Sequence, residues 1–161
     1  MERQVYIHYG HNRFDPNKFE PIKNERLWVK PKGGLWASKI DASFGWKEWC
    51  EAEIFRDCNI NNAFKFTLSD YASIAILSTI SDIRRLPMVD TSPDPTGSML
   101  GFLEQAYIDF EKCLANGIDA IELCWYGDEY SSQARDNLHF TLYGWDCDSI
   151  IILNPDIVQP I

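Results

Sequence analysis

Apolar and polar positions along this chain predict strands more often than helices. Val5, Tyr6, Ile7, His8 and Tyr9 form a β-branched and aromatic run, which predicts a first strand. Residues 10–24 are polar and hold Pro16 and Pro21, so they predict a covering loop. Gly33 and Gly34 then break the chain before Leu35, Trp36, Ala37 and Ser38, a short second strand. Trp46, Trp49, Cys50 and Ile54 recur at helical spacing, with Asp41 or Ser43 as the expected cap. Residues 64–68 alternate as Phe-Lys-Phe-Thr-Leu and predict a strand with one solvated face.

The pattern between Asp70 and Leu86 fits a strand over 74–77 followed by a short helix. Pro87, Pro93, Pro95 and Gly97 mark a loop. Residues 100–114 predict a helix with Leu103, Ala106, Tyr107, Phe110 and Leu114 on its apolar face, ended by Asn116-Gly117. A strand follows over 118–125, then a polar excursion over 127–137 and a further strand over 138–142. Residues 148–153 are β-branched and close on Asn154-Pro155, which predicts a strand buried on both faces. Together these elements predict an α+β fold in one domain spanning residues 1–161.

Composition narrows the class. A hydrophobic fraction of 45% excludes disorder and supports a packed core. No run of about 18 apolar residues occurs, and Met1-Glu2-Arg3-Gln4 does not open a leader, so the expectation is a cytoplasmic protein without a membrane segment. The five Cys, at 50, 58, 113, 124 and 147, are odd in number and widely spaced, as expected of buried reduced thiols. His8-x-x-His11 is the single close pair of metal-ligand type, one pair short of a zinc site, so no metal is expected. A net charge of −9 disfavours a general nucleic-acid binder without excluding a local basic patch. Lys23, Arg26, Lys30 and Lys32 form such a cluster, read as a solvated loop.

Three segments stand out together: Ile7-His8-Tyr9-Gly10, Gly34-Leu35-Trp36-Ala37-Ser38 and Trp145-Asp146-Cys147-Asp148-Ser149. In order and placement they resemble the signature strands of the ADP-ribosyltransferase superfamily. That family carries a His or Arg on its first strand, a hydroxyl or aromatic on its second and an acid at a late strand. The C-terminal run Ile150-Ile151-Ile152-Leu153-Asn154-Pro155 is similar to the closing strand of its small members. The resemblance implies a split β-sheet core with a few flanking helices, NAD as substrate and a macromolecular acceptor, for which the acidic composition favours protein. Such a stand-alone transferase is compatible with a toxin, a phage effector or a housekeeping modifier.

The resemblance also implies roles. His8 would hydrogen-bond a ribose hydroxyl, Ser38 would seat the second strand against the nicotinamide side, and backbone amides near Gly10 would face the carboxamide. Tyr9, Trp36 or Trp46 would stack on the nicotinamide ring, whose cationic form favours an aromatic face. Asp146 and Asp148 stand where the family has Glu, with Asp148 the first choice and Glu122 or Glu129 as other acids. A carboxylate one methylene shorter moves by on the order of 1 Å, which can cost ~100-fold in rate. Two further readings stay open: a nucleotide-binding module without turnover, and an acidic interaction protein that mimics nucleic acid.

Overall fold

The computed structural model describes residues 3–25, 28–89, 107–124 and 145–161. In chain order the strands are β1 (Tyr6–Tyr9), β2 (Lys23–Glu25), β3 (Trp28–Lys32), β4 (Leu35–Lys39), β5 (Ala63–Leu68), β6 (Ile74–Leu77), β7 (Met88–Val89), β8 (Tyr107–Ile108), β9 (Ala120–Leu123), β10 (Ser149–Ile152) and β11 (Val158–Pro160). The helices are α1 (Trp46–Ala52), α2 (Ile80–Arg84) and α3 (Phe110–Ala115). The mixed α+β class expected from the pattern is therefore present.

Seven strands form one sheet in the order β11-β5-β1-β4-β10-β9-β6, and β2–β3 and β7–β8 are separate two-stranded ribbons. Every neighbouring pair in the large sheet is antiparallel except β6 with β9. Successive strand residues point to opposite faces, so Ile150 and Ile152 enter one core while Ile151 enters the other. One core holds Phe66, Ala120 and Ile157; the other holds Leu77, Ile108, Phe110, Ile121 and Trp145. A sheet covered on both sides explains why β10 reads as an unbroken apolar run.

The sheet is thinnest between β1 and β4. These strands pair at Tyr6↔Lys39 and Ile7↔Ser38, whereas β1 pairs with β5 along its full length, from Tyr6↔Phe66 to Tyr9↔Ala63. Beyond Ile7 an imidazole takes over from the ladder: His8 Nδ1 donates to the Trp36 carbonyl at 2.7 Å. That bond satisfies a main-chain acceptor which strand pairing leaves open.

Several local expectations are corrected. The first long helix starts after Gly45, not Asp41 or Ser43, because the Glu48 carboxylate accepts from the Gly45 amide at 2.9 Å and Ser38 Oγ accepts from the Trp46 amide at 2.9 Å. Ile54 lies beyond α1 with φ +50 and is 93% exposed, so it is not on the helix's apolar face. Tyr107 and Ile108 belong to β8, and α3 begins at Phe110, capped by the Asp109 side chain. The loop signalled by Pro93, Pro95 and Gly97, the stretch 100–106, the excursion over 127–137 and the strand over 138–142 lie outside the described residues, as does the Trp125 end of the strand over 118–125. No helix among the described residues is long and apolar enough to cross a membrane.

Candidate functional site

A cavity of about 390 Å³ opens where β1 and β4 part, within the range of roughly 300–1,000 Å³ usual for small-molecule sites. Its lining includes His8 and Tyr9 from β1, Trp36 from β4, Trp46 from α1, Phe55 and Arg56 from the turn after α1, Lys30 from β3, and Asp146 from the approach to β10. Five of the residues given a role in the sequence analysis, His8, Tyr9, Trp36, Trp46 and Asp146, thus meet at one opening.

His8 is held from two sides. Its ring packs on Phe64 across the β1–β5 pair, with centroids 5.1 Å apart. A carbonyl only accepts, so the bond to Trp36 fixes the hydrogen on Nδ1 and leaves Nε2 as an acceptor in the neutral ring. Burial pulls the His8 pKa below its ordinary value, the Trp36 carbonyl opposes this, and the charges of His11 and Arg56 add to the lowering. A neutral imidazole with a lone pair on Nε2 suits a ligand hydroxyl as donor.

The walls are aromatic and cationic in alternation. Lys30 Nζ sits 4.6 Å from the Trp36 ring centroid, and Arg56 Cζ sits 5.3 Å from that of Trp46. Trp36 meets Trp145 edge-on at 4.8 Å, and Trp46 stacks on Trp49 at 5.1 Å. Burial lowers the Lys30 pKa, while the Asp146 charge works the other way. In a chain of net charge −9, this mouth gathers Lys30 and Arg56 against one exposed carboxylate among the described residues, Asp146. Aromatic faces beside cations are chemically suited to an anion that bears a flat ring.

Other expected site residues lie elsewhere. Ser38 is buried and does not line the cavity; its hydroxyl donates to the Asp148 carbonyl at 2.9 Å while accepting from the Trp46 amide. The Gly10 amide donates to the Asn62 carbonyl at 2.8 Å, so it is not available to a ligand carboxamide. Asp148 borders a second hollow of about 250 Å³ with Tyr6, Lys39, Asp41, Glu122 and Cys124. Glu122 is buried there, ion-paired with Lys39, and accepts from Tyr6 Oη at 2.9 Å and Cys124 Sγ at 3.0 Å. Burial works against the Lys39 ammonium, yet the Glu122 hydrogen bond and charge outweigh it and raise its pKa. Burial and Glu122 together push the Cys124 thiol up to about 12, so it is no thiolate nucleophile. Glu129 lies outside the described residues.

Lys30, Phe55, Arg56, Cys147 and Ser149 line the cavity without having been singled out for it. Lys30 is half-buried in β3 and not on a solvated loop; Lys32, facing Lys23 across the ribbon, is exposed. Arg26, the fourth member of that basic cluster, lies outside the described residues. Alternation along β3 puts Lys30 and Lys32 on one face, so it does not separate the half-buried lysine from the exposed one. Nothing in the local sequence marks Arg56, which reaches the cavity because the chain turns sharply after α1. No protein-family model, curated protein or solved structure matches this chain.

Proposed function

We propose that this protein is an NAD-dependent ADP-ribosyltransferase acting on a macromolecular acceptor, protein being favoured by its acidic composition. The observation that supports this reading is convergence: His8, Trp36 and Asp146 come from three separate segments and line one cavity. β1 and β4, which carry the first two, and β10, which Asp146 precedes, are neighbours in the sheet. The geometry suits the chemistry. Breaking the bond between nicotinamide and ribose leaves positive charge on the sugar, and nicotinamide departs with the bonding pair before the acceptor nucleophile attacks. The Asp146 carboxylate stabilises that charge, in place of Asp148. His8 Nε2 accepts from a ribose hydroxyl, Trp36 or Trp46 stacks on the nicotinamide ring, and Lys30 and Arg56 hold the phosphates.

The test is nicotinamide release and label transfer from radiolabelled NAD. Asp146→Asn and His8→Ala are expected to lower both by about 100-fold or more, with Asp148→Asn near wild type. Signals that survive His8→Ala and Asp146→Asn unchanged would assign any activity to another site.

A second reading is a nucleotide-binding module without turnover. The exposure of Asp146 favours it, since a solvated carboxylate stabilises a developing cation less than a buried one. Calorimetry that finds ADP-ribose and NAD bound tightly, with no nicotinamide released, selects this version.

A further inference from the structure

Gly10 and His11 fold back over the end of β1, and His11 meets the one nitrogen of His8 that the Trp36 carbonyl leaves free. His8 Nε2 lies 3.3 Å from His11 Nδ1. The ring centroids are 5.6 Å apart with planes 17° from parallel. That separation exceeds the nitrogen–nitrogen distance by about two ring radii, so the N···N line runs through both rings. A single hydrogen in line between two nitrogens fits this arrangement; a shared metal, toward which both lone pairs would have to converge at an angle, does not. With Nδ1 of neutral His8 already carrying its hydrogen, His11 Nδ1–H is the donor and His8 Nε2 the acceptor.

The geometry points to His11 as a positioning residue: its Nδ1–H stands in for a ligand hydroxyl on His8 Nε2 and is displaced when a hydroxyl-bearing ligand enters. The choice of an ADP-ribosyl ligand rests on the function proposed above; the pairing itself does not. Two features fit displacement. His11 is exposed and swings into water at little cost, whereas His8 is fixed by Phe64 and the Trp36 carbonyl. Gly10 adopts φ +133, and a Cβ there would stand 3.3 Å from His8 Nε2, so the absent side chain keeps the approach to that nitrogen clear. Among the described residues the titratable and charged groups that face His8 are His11 and Arg56, beside Phe64 from β5 and the Trp36 carbonyl from β4. A second proton on His8 would set two N–H groups against each other and release His11 in the same way.

Nitrogen-15 NMR of the imidazoles tests the pairing, with wild type, His11→Ala and His11→Asn compared. His8 Nε2 is expected to report a hydrogen-bonded acceptor in wild type and a bare lone pair in His11→Ala, with Nδ1 unchanged. His11→Asn is expected to restore the wild-type signal, because its amide nitrogen takes the place of Nδ1. An Nε2 resonance unmoved by His11→Ala overturns the pairing. Calorimetry with ADP-ribose tests displacement: one competing hydrogen bond removed predicts about threefold to tenfold tighter binding to His11→Ala. Weaker binding by that variant overturns displacement and makes His11 a direct contact. If no variant binds ADP-ribose or NAD, the nucleotide reading falls, and the displacement with it, while the NMR comparison still decides the pairing.

Discussion

Ser38 Oγ donates to the main-chain oxygen of Asp148 at 2.9 Å, a hydroxyl tying the second of the three signature segments to the third. Ser38 Oγ also accepts from the Trp46 amide at 2.9 Å, so one buried side chain joins β4, the start of α1 and the approach to β10. Ser38 therefore acts on the cavity from behind its wall, by setting where Trp46 and the segment 146–148 lie.

The first prediction concerns that junction. Ser38→Ala removes both hydrogen bonds of this part-buried junction, from the Trp46 amide and to the Asp148 carbonyl, a loss of about 1–3 kcal/mol. Urea denaturation is expected to show a lower midpoint with an unchanged slope. A variant of wild-type stability that nonetheless loses ligand affinity would mean that Ser38 touches the ligand.

The strands of the candidate site are legible in the sequence because burial imposes short apolar runs, as at Tyr6-Ile7 and Ile150-Ile151-Ile152. Where competing patterns overlap, legibility fails. Tyr107 fits a helical face with Phe110 and Leu114, yet Asp109 caps the helix just after it and leaves Tyr107 to pair with Val89. Val158-Gln159-Pro160 is too short and too polar to read as a strand; its proline is tolerated because β11 is the sheet's edge. The Asp-x-Asp spacing is misleading for a related reason. Two residues apart share a face only in extended chain, and the chain bends at Cys147 and Asp148 before β10 begins. Asp146 consequently borders one hollow and Asp148 the other.

A pair of glycines separates backbone conformation from space. Gly33 and Gly117 both have positive φ, +75 and +83. A Cβ on Gly117 meets nothing within 4 Å, whereas on Gly33 it stands 2.3 Å from the Pro21 carbonyl oxygen, part of a main chain that cannot rotate away. Gly117→Ala is expected to cost about 1–2 kcal/mol, the ordinary left-handed penalty. Gly33→Ala is expected to cost about 3 kcal/mol or more. Thermal unfolding of the two variants side by side checks the ranking; equal losses would show that the turn at Gly33 relaxes freely.

Acid sensitivity follows from His8. Burial holds its folded-state pKa below the ordinary value of 6.5, so between the two values the unfolded chain binds more protons and stability rises with pH. The contribution is complete above 6.5 and is lost as pH falls through the folded-state value. His8→Asn keeps a donor for the Trp36 carbonyl and removes the titration. Its urea midpoint is expected to fall less than that of wild type between about pH 7 and pH 5. Parallel losses in the two proteins would assign the acid sensitivity to carboxylates elsewhere.

The last prediction turns on the two cations of the cavity. Lys30 lies over Trp36 and Arg56 over Trp46, so each is placed beside an aromatic wall and not in a salt bridge among the described residues. On the proposed function, a nucleotide phosphate would turn both placements into charge-assisted hydrogen bonds. Lys30→Gln and Arg56→Gln are each expected to weaken ADP-ribose binding by about tenfold or more, and to flatten its dependence on salt. Nicotinamide riboside, which has the ring and the sugar but no phosphate, supplies the control: its affinity is expected to change little in either variant. Equal losses for the two ligands would show that Lys30 and Arg56 hold the aromatic walls in place and do not read the phosphate. Loss confined to ADP-ribose would identify the phosphate-reading end of the cavity and leave Tyr9, Trp36 and Trp46 to receive the ring.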